Sequence, residues 1–317
     1  MSIISNLQPA NVPLVRKSYD DAFLGVGLLR GYGQYRGYCT ATWLGEDGRW
    51  AYFMTAAHCL SNYSILLAGE DMTSDPDAFH SLRKVRYKDV FIGWNGKIIA
   101  SGKGYAYFPE EYSQNGGSRK ADIAIIKLPA KRDIVDYKGA PIAPPIIDDQ
   151  GEVTEGLVQF VGYGLWGAGL DLESLKSLYQ RKFENRRMYG ESWISPSLFP
   201  SSEPDLWIRA AYEHEKWPTR YWAMLASRDS GAAWWQSVNG KLVITGVAIR
   251  ADILDEGTTA VRTSGFSRWI KSIFKEVRLQ SETFYKRGEV NSCDNRPLHQ
   301  GDIYIDHTDS LLGTRFF

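Results

Sequence analysis

Short strand-like segments separated by turn residues run through most of the chain, and they constrain its fold more than any other feature. Residues 38–44 and 50–55 are two of them, joined by a hairpin turn over residues 46–49. Further strands are predicted at residues 23–30, 64–68, 89–94, 98–108, 123–128, 157–162, 206–211, 232–236, 241–250 and 258–263. Helical spacing of apolar residues is clear at residues 264–279 and weaker at residues 172–187. Many short strands with one late helix predict an all-β protein built from two β-barrels or a pair of sandwiches.

Charge and hydropathy exclude several classes of function. The 317 residues include 37 basic and 37 acidic side chains, so the formal net charge at pH 7 is zero. No charge excess favours nucleic acid or an anionic membrane surface, and no apolar stretch is long enough to span a bilayer. The first nine residues lack a basic segment followed by an apolar one, so no signal peptide is legible. We therefore expect no nucleic-acid partner and no membrane partner.

Three side chains suited to nucleophilic hydrolysis lie in distinctive local contexts. That chemistry needs a hydroxyl or thiol, a base to take its proton, and a carboxylate to orient the base. His58 follows a predicted strand and two alanines, and Asp122 opens an apolar strand that would bury its carboxylate. Ser230 lies in a turn between an acidic residue and a glycine. A single histidine is more often structural, but the three contexts together make these residues the candidate catalytic group.

These contexts resemble the motifs of the trypsin/chymotrypsin-like serine proteases. Thr55-Ala-Ala-His-Cys59 is similar to the histidine motif of that family, residues 122–128 to its aspartate motif, and Asp229-Ser-Gly231 to its serine motif. The motifs stand in the family's order, and the resemblance extends over residues 20–277. It implies two six-stranded antiparallel β-barrels of chymotrypsin-like fold, closed by a C-terminal helix.

The resemblance also divides the chain into three parts. Residues 18–135 are predicted to form an N-terminal β-barrel carrying His58 and Asp122. Residues 150–280 are predicted to form a C-terminal β-barrel carrying Ser230 and the closing helix, with the proline- and aspartate-rich loop over residues 129–151 between the halves. Residues 281–317 are an extra C-terminal tail.

The activity that the resemblance implies is that of a serine endopeptidase working through an acyl-enzyme. Ser230 would be the nucleophile, His58 the general base and then acid, and Asp122 the group that orients the imidazole. The backbone N–H groups of Arg228 and Ser230 would form the oxyanion hole. The implied partner is a protein or peptide substrate, with an activating protease or an inhibitor as a further partner; no cofactor and no metal is implied.

Cys39 and Cys59 match the disulfide that family members carry beside the catalytic histidine, which leaves Cys293 without a mate. A disulfide favours an oxidising compartment, so the resemblance implies a secreted or extracytoplasmic protein. Delivery as an effector by a dedicated apparatus would reconcile this location with the lack of a legible signal peptide. The activating segment Ile-Val-Gly-Gly is absent, and Arg16-Lys17 is a candidate processing site.

The serine motif departs from the family at one position. Arg228 stands where the family has glycine, in a backbone conformation that residues with a β-carbon adopt reluctantly. Strain there would close the oxyanion hole, so the alternative function is a catalytically impaired pseudoprotease that binds proteins.

The substrate pocket is predicted from the same alignment of motifs. Met224 falls at the pocket floor, and Ile249, Arg250 and Ala251 fall on the strand that edges the cleft. An apolar floor disfavours lysine and arginine side chains, because burying an unpaired charge is costly. We expect a preference for apolar or uncharged side chains, although Arg250 would draw acidic ones.

A competing motif is the glycine pattern of residues 162–167, which fits the GxGxxG fingerprint of dinucleotide-binding proteins. No βαβ unit follows it, and Tyr163 and Trp166 fill the loop where a phosphate must approach closely. Dinucleotide binding is therefore the less favoured interpretation.

Overall fold

The computed structural model describes residues 4–5, 11–30, 39–61, 80–87, 97–114, 121–151, 155–164, 167–168, 187–194, 206–211, 219, 221–252 and 257–285. Its strands are β1 (Ile4–Ser5), β2 (Val26–Leu29), β3 (Cys39–Asp47), β4 (Trp50–Thr55), β5 (His80–Tyr87), β6 (Gly102–Pro109), β7 (Ala124–Pro129), β8 (Ile146–Ile147), β9 (Gly156–Gly162), β10 (Gly167–Ala168), β11 (Met188–Ile194), β12 (Trp207–Ala211), β13 (Ala233–Val238), β14 (Lys241–Asp252), β15 (Gly257–Arg262) and β16 (Arg278–Leu279). Its α-helices are α1 (Asn11–Lys17), α2 (His58–Ser61), α3 (Glu110–Gln114), α4 (Ser267–Ile273) and α5 (Gln280–Tyr285). None of the helices within these ranges is long and apolar enough to cross a membrane.

The N-terminal half is a six-stranded antiparallel sheet with the order β2-β3-β4-β7-β6-β5. The predicted hairpin joins β3 to β4 and turns at Gly48, whose φ of +58° lies in the left-handed region that favours glycine. Strands β4 and β7 pair from Thr55↔Ala124 to Trp50↔Pro129. Nearly every residue of β4 and the first half of β7 is buried, as expected for central strands of a core.

The C-terminal half contains a closed six-stranded antiparallel barrel. Its strands follow the order β9-β11-β12-β15-β14-β13, and β13 closes the ring because it pairs with both β14 and β9. The short strands β8 and β16 extend this sheet in parallel from β14. Closure removes the exposed edges that an open antiparallel sheet would present.

One of two hydrophobic clusters among the described residues spans both halves. The phenyl ring of Phe274, directly after α4, stacks on Tyr52 of β4 with ring centroids 4.3 Å apart. Phe23 likewise contacts Tyr189 of β11 and Trp235 of β13, at centroid distances of 5.4 and 5.6 Å. The chain up to Phe284 forms one compact unit, so the segments that carry the candidate site are held by a common core.

The predicted all-β fold of chymotrypsin-like type with a C-terminal helix is confirmed. Of the two predicted six-stranded antiparallel barrels, the C-terminal one is a closed ring, and the N-terminal one is a six-stranded sheet whose end strands, β2 and β5, do not pair in the described residues. The predicted helix over residues 264–279 is shorter: a 3-10 turn at Ser264–Phe266 leads into α4, which ends at Ile273. Strand β11 was not predicted. The predicted strands at 64–68 and 89–94 and the predicted helix up to residue 186 lie outside the described residues. The three domain boundaries stay predictions, and α5 continues the compact unit past residue 280.

The candidate processing site lies in a folded segment. Arg16 and Lys17 form the last turn of α1, and the next residue, Ser18, is fully buried. The Ser18 carbonyl accepts two hydrogen bonds from the guanidinium of buried Arg187, at 2.7 and 3.0 Å. Cleavage after Arg16 or Lys17 therefore requires this segment to unfold locally.

Candidate active site

His58 and Asp122 form a close pair. The imidazole Nδ1 lies 2.7 Å from Asp122 Oδ2, and the backbone N–H of His58 donates to Asp122 Oδ1 at 2.8 Å. The Asp122 side chain is only 3% exposed, whereas the His58 side chain is 36% exposed. The carboxylate thus accepts hydrogen bonds on both oxygens and fixes the orientation of an imidazole that remains accessible on its other side.

The pairing of β4 with β7 explains why these two residues meet. Thr55, at the end of β4, is opposite Ala124, at the start of β7. His58 comes three residues after Thr55, and Asp122 comes two residues before Ala124. A tight turn, in which the Ile123 N–H donates to the Ala121 carbonyl at 2.7 Å, directs the chain at Asp122. The expected burial of Asp122 is confirmed.

Ser230 lies beside this pair. Its carbonyl accepts the backbone N–H of Thr40 at 2.9 Å and lies 3.8 Å from the sulfur of Cys59. The same sulfur is 4.0 Å from His58 Nε2. The Ser230 carbonyl oxygen and the Nε2 atom of His58 therefore each lie within 4.0 Å of the same sulfur atom, and Ser230 itself is half-buried.

Cys39 and Cys59 form the disulfide that the resemblance implied, with their Cα atoms 6.2 Å apart. The bond ties the start of β3 to the residue after His58. Cys39, Cys59 and His58 also bring three potential metal ligands within 4.8 Å of one another. The two sulfurs are joined to each other and offer no thiolate, so this cluster does not fit a metal ion.

Replacing both Cys39 and Cys59 by alanine is expected to lower the free energy of unfolding by about 3 kcal/mol, because the bond closes a loop of 20 residues in the unfolded chain. Urea unfolding with and without dithiothreitol measures this. Dithiothreitol should lower the stability of the wild type towards that of the double variant and leave the variant unchanged. Equal stability of oxidised wild type and variant would contradict the expectation.

The carboxyl group of Asp229 anchors the turn that precedes Ser230. It is fully buried, and it accepts the Gly164 N–H on Oδ1 at 2.9 Å and the Ala226 N–H on Oδ2 at 3.0 Å. A β-carbon on Gly162 would lie 2.3 Å from Asp229 Oδ1, and one on Gly164 would lie 2.7 Å from the Asp229 nitrogen. These two glycines of the 162–167 pattern therefore allow close packing against Asp229, which accounts for them without a phosphate.

Burial raises the pKa of Asp229 to about 7, although the two backbone N–H donors partly offset this effect. Between about pH 4 and pH 7 the unfolded chain ionises this group while the folded protein keeps it protonated. The folded state then binds more protons, so this group's stabilisation is complete below pH 4 and is lost as the pH rises through 7.

We expect the free energy of unfolding of wild type, relative to Asp229→Asn, to fall by about 1.4 kcal/mol per pH unit between about pH 4.5 and pH 6.5. Asparagine cannot titrate, so the variant isolates the contribution of this carboxyl group. Urea unfolding curves at several pH values measure the two slopes. Parallel profiles for wild type and variant would show that Asp229 is ionised in the folded protein throughout this range.

The proposed oxyanion residue Arg228 adopts the conformation that its position requires. Its φ is +81°, and Asn239 is the other non-glycine residue with positive φ in the described part of the chain. The Arg228 carbonyl faces the hydroxyl of Thr40, with the two oxygens 3.5 Å apart. The Thr40 Oγ1 also accepts the backbone N–H of Tyr163 at 3.0 Å.

The predicted pocket residues flank the turn that carries Ser230. The Gly231 N–H donates to the Ala248 carbonyl at 2.7 Å, which places β14 directly beside the turn. Ile249 is the extra residue of a bulge after Ala248 and is buried, Arg250 is exposed, and Ala251 is half-buried opposite Thr258. Met224 is buried, 8% exposed, four residues before Arg228. Their contact with a substrate stays a prediction.

Sequence reasoning missed Thr40. The resemblance drew attention to Cys39 alone, yet the next residue is fully buried and contacts both Arg228 and Ser230. The contact with Arg228 joins residues 188 positions apart, so no local sequence pattern predicts it. The signal that could have found it is the pairing of a threonine after Cys39 with an arginine in the serine motif.

Comparisons with known proteins give a structural match at low sequence identity. No protein-family model and no curated protein matches the sequence. Among solved structures, the chain is similar to the scabies mite inactivated protease paralogue S-I1, with 17% identity and a TM-score of 0.47. The match covers 87% of this chain and 99% of that one.

Proposed function

We propose that this protein is a serine endopeptidase that hydrolyses peptide bonds through an acyl-enzyme on Ser230. The observation that carries the proposal is the pair of hydrogen bonds between Asp122 and His58. The buried carboxylate accepts hydrogen bonds from Nδ1 and from the backbone N–H of His58, whose imidazole is one-third exposed. An imidazole held by its Nδ1–H keeps its lone pair on Nε2, the form needed to accept a proton. In support of Ser230 as the nucleophile, its carbonyl oxygen lies 3.8 Å from the Cys59 sulfur, and that sulfur lies 4.0 Å from Nε2.

The first half of the reaction makes the acyl-enzyme. Ser230 Oγ attacks the carbonyl carbon of the scissile peptide as its proton passes to His58 Nε2. The carbonyl oxygen becomes an oxyanion, which accepts hydrogen bonds from the N–H groups of Arg228 and Ser230. The tetrahedral intermediate collapses, the C–N bond breaks, and His58 donates its proton to the leaving amine.

The second half regenerates the enzyme. A water molecule gives its proton to His58 and attacks the ester carbon, and the Ser230 Oγ–C bond then breaks as His58 returns the proton to the serine. Asp122 holds the imidazole in place and stabilises the imidazolium in both halves. Residues of this chain supply every group used in the cycle.

The substrate preference follows from the predicted pocket. A buried methionine at position 224, together with Ile249 and Ala251, would give apolar walls to the side chain that precedes the scissile bond. We propose that apolar or uncharged side chains are preferred there. Arg250 is exposed and would contact the substrate outside the pocket, where it favours acidic residues.

The disulfide supports an oxidising location for this activity. Cys39–Cys59 lies between β3 and His58, and disulfides of this structural kind persist in secreted and extracytoplasmic proteins. We propose a secreted or extracytoplasmic site of action on protein substrates.

Digestion of a peptide library tests the activity. We expect cleavage at internal bonds that follow apolar or uncharged residues, identified by mass spectrometry of the products. The Ser230→Ala protein, purified in the same way, is the control for contaminating proteases. Equal cleavage by both preparations, or none by either, would contradict the proposal.

One observation favours a second candidate function, a pseudoprotease that binds proteins. Arg228 occupies a left-handed conformation that costs a residue with a β-carbon about 1–2 kcal/mol. If the strain is relieved in solution by a turn of the peptide that closes the oxyanion hole, the fold would bind peptides without cleaving them. An inert wild type that gains activity on Arg228→Gly would support this second function.

A further inference from the structure

The left-handed conformation of Arg228 must be held by contacts, because an arginine does not favour it. Asn239 also has a positive φ. It lies in the β13–β14 hairpin next to Gly240, where asparagine is well tolerated. Arg228 has no such advantage. The residue that follows it is held in place, since the Asp229 N–H donates to the Ala226 carbonyl and the Asp229 carboxyl group is buried.

The side chain of Thr40, a residue outside this turn, reaches the Arg228 carbonyl. Its hydroxyl oxygen accepts the Tyr163 N–H at 3.0 Å, which leaves the O–H free to point at the Arg228 oxygen, 3.5 Å away. Its backbone N–H donates to the Ser230 carbonyl at 2.9 Å. One fully buried residue therefore contacts the carbonyl groups of both residues that would form the oxyanion hole.

The position of Thr40 is itself fixed. The disulfide at Cys39 ties the start of β3 to Cys59, and the Thr40 carbonyl accepts the Thr55 hydroxyl at 2.8 Å. The hydroxyl of Thr40 also lies against Gly162, where a β-carbon would be 3.3 Å from it. The side chain has little room to turn away, so it can act as a rigid support for the turn.

We propose that Thr40 is a positioning residue that holds Arg228 in its left-handed conformation and thereby keeps the N–H groups of Arg228 and Ser230 directed at the oxyanion. The proposal rests on the proposed function. It predicts a specific dependence: the Thr40 hydroxyl matters when residue 228 is arginine and matters much less when residue 228 is glycine, which adopts the conformation without support.

A double-mutant cycle tests this dependence. The variants are Thr40→Val, Arg228→Gly and the two combined, with Thr40→Ser as the variant that keeps the hydroxyl. The readouts are the second-order rate constant for phosphonylation of Ser230 by a fluorophosphonate, whose phosphoryl oxygen enters the oxyanion hole, and the melting temperature.

With arginine at 228, Thr40→Val should slow phosphonylation about 10- to 100-fold, the range expected when a reacting geometry is misplaced. With glycine at 228 the same change should slow it less than about threefold, and Thr40→Ser should stay within about threefold of wild type. Thr263→Val is the matched control, because its hydroxyl is equally buried and donates to the Ile244 carbonyl at 2.9 Å. It should lower the melting temperature without changing the rate constant.

Equal slowing by Thr40→Val in both backgrounds, or no slowing in either, would overturn the proposal. A Thr40→Val protein that folds only with glycine at 228 supports it, and one that unfolds in both backgrounds counts against it.

If no variant reacts with the fluorophosphonate, the protease proposal fails and the melting temperatures decide the role of Thr40. If Thr40→Val then lowers the melting temperature more with arginine at 228 than with glycine at 228, the positioning role is supported. An equal decrease in melting temperature in both backgrounds refutes it.

Discussion

Asp122→Asn is expected to lower kcat/KM for peptide hydrolysis by about 10⁴-fold, since an amide cannot reproduce what the carboxylate does here. Asp122 accepts two hydrogen bonds from His58, one from the backbone N–H and one from Nδ1. Asparagine has one acceptor oxygen and one NH2 group. If its oxygen faces the backbone N–H, its NH2 group faces Nδ1 and forces the ring proton onto Nε2. The imidazole can then no longer accept the proton of Ser230.

Asp136→Asn is the matched control for this change. Asp136 Oδ1 also accepts two backbone N–H groups, from Lys138 and Ala140, but it lies in an exposed turn. Its variant should keep kcat/KM within about threefold of wild type, because asparagine satisfies two donors on one oxygen. Steady-state kinetics on a fluorogenic peptide would measure both. An Asp122→Asn enzyme with near-normal kcat/KM would contradict the role of the pair in orienting His58.

Gly231→Ala is expected to lower the free energy of unfolding by about 3 kcal/mol and kcat/KM by at least about 100-fold. The φ of Gly231 is +87°, and a β-carbon there would lie 2.1 Å from the Thr40 carbonyl oxygen and 2.2 Å from Thr55 Oγ1. The first of these atoms belongs to the backbone of β3 and cannot move without shifting the strand. The turn that carries Ser230 would therefore be displaced from His58.

Gly240→Ala separates the two causes of the loss of stability and activity, which are the positive φ and the steric contacts of the new β-carbon. Gly240 also has a positive φ, +72°, but a β-carbon there would have nothing within 4 Å. This variant should lose only about 1 kcal/mol of stability, the cost of the backbone conformation, and keep its kcat/KM. Urea unfolding and peptide kinetics on both variants would give the comparison. Similar losses for the two variants would mean that the steric contacts of Gly231 are unimportant.

The parts of this site that the sequence could predict are those that short local motifs identify. His58, Asp122 and Ser230 each stand in a short segment whose residues suit one catalytic role, and the pairing of β4 with β7 brings the first two together. The resemblance to the serine proteases implies the disulfide between Cys39 and Cys59, which the structure contains. Such features need only a few neighbouring residues to be legible.

The parts that the sequence could not predict depend on contacts between distant segments. Phe274 continues the helical spacing of apolar residues in α4, and this spacing predicted a longer helix. The helix ends at Ile273, and the Phe274 backbone is extended where its ring stacks on Tyr52. Strand β11 takes its conformation from pairing with β9 along its whole length. Thr40 acquires its role from an arginine 188 positions away.

Intact-mass spectrometry after treatment with a fluorophosphonate tests the central claim, an activated nucleophile at Ser230, most directly. The reagent forms a covalent bond to a serine hydroxyl only where a base accepts its proton and an oxyanion hole stabilises the phosphoryl oxygen. We predict one adduct per wild-type chain, mapped to Ser230 by peptide analysis and absent from Ser230→Ala. A well-folded wild type that gains no adduct, or an adduct that persists in Ser230→Ala, would contradict the account.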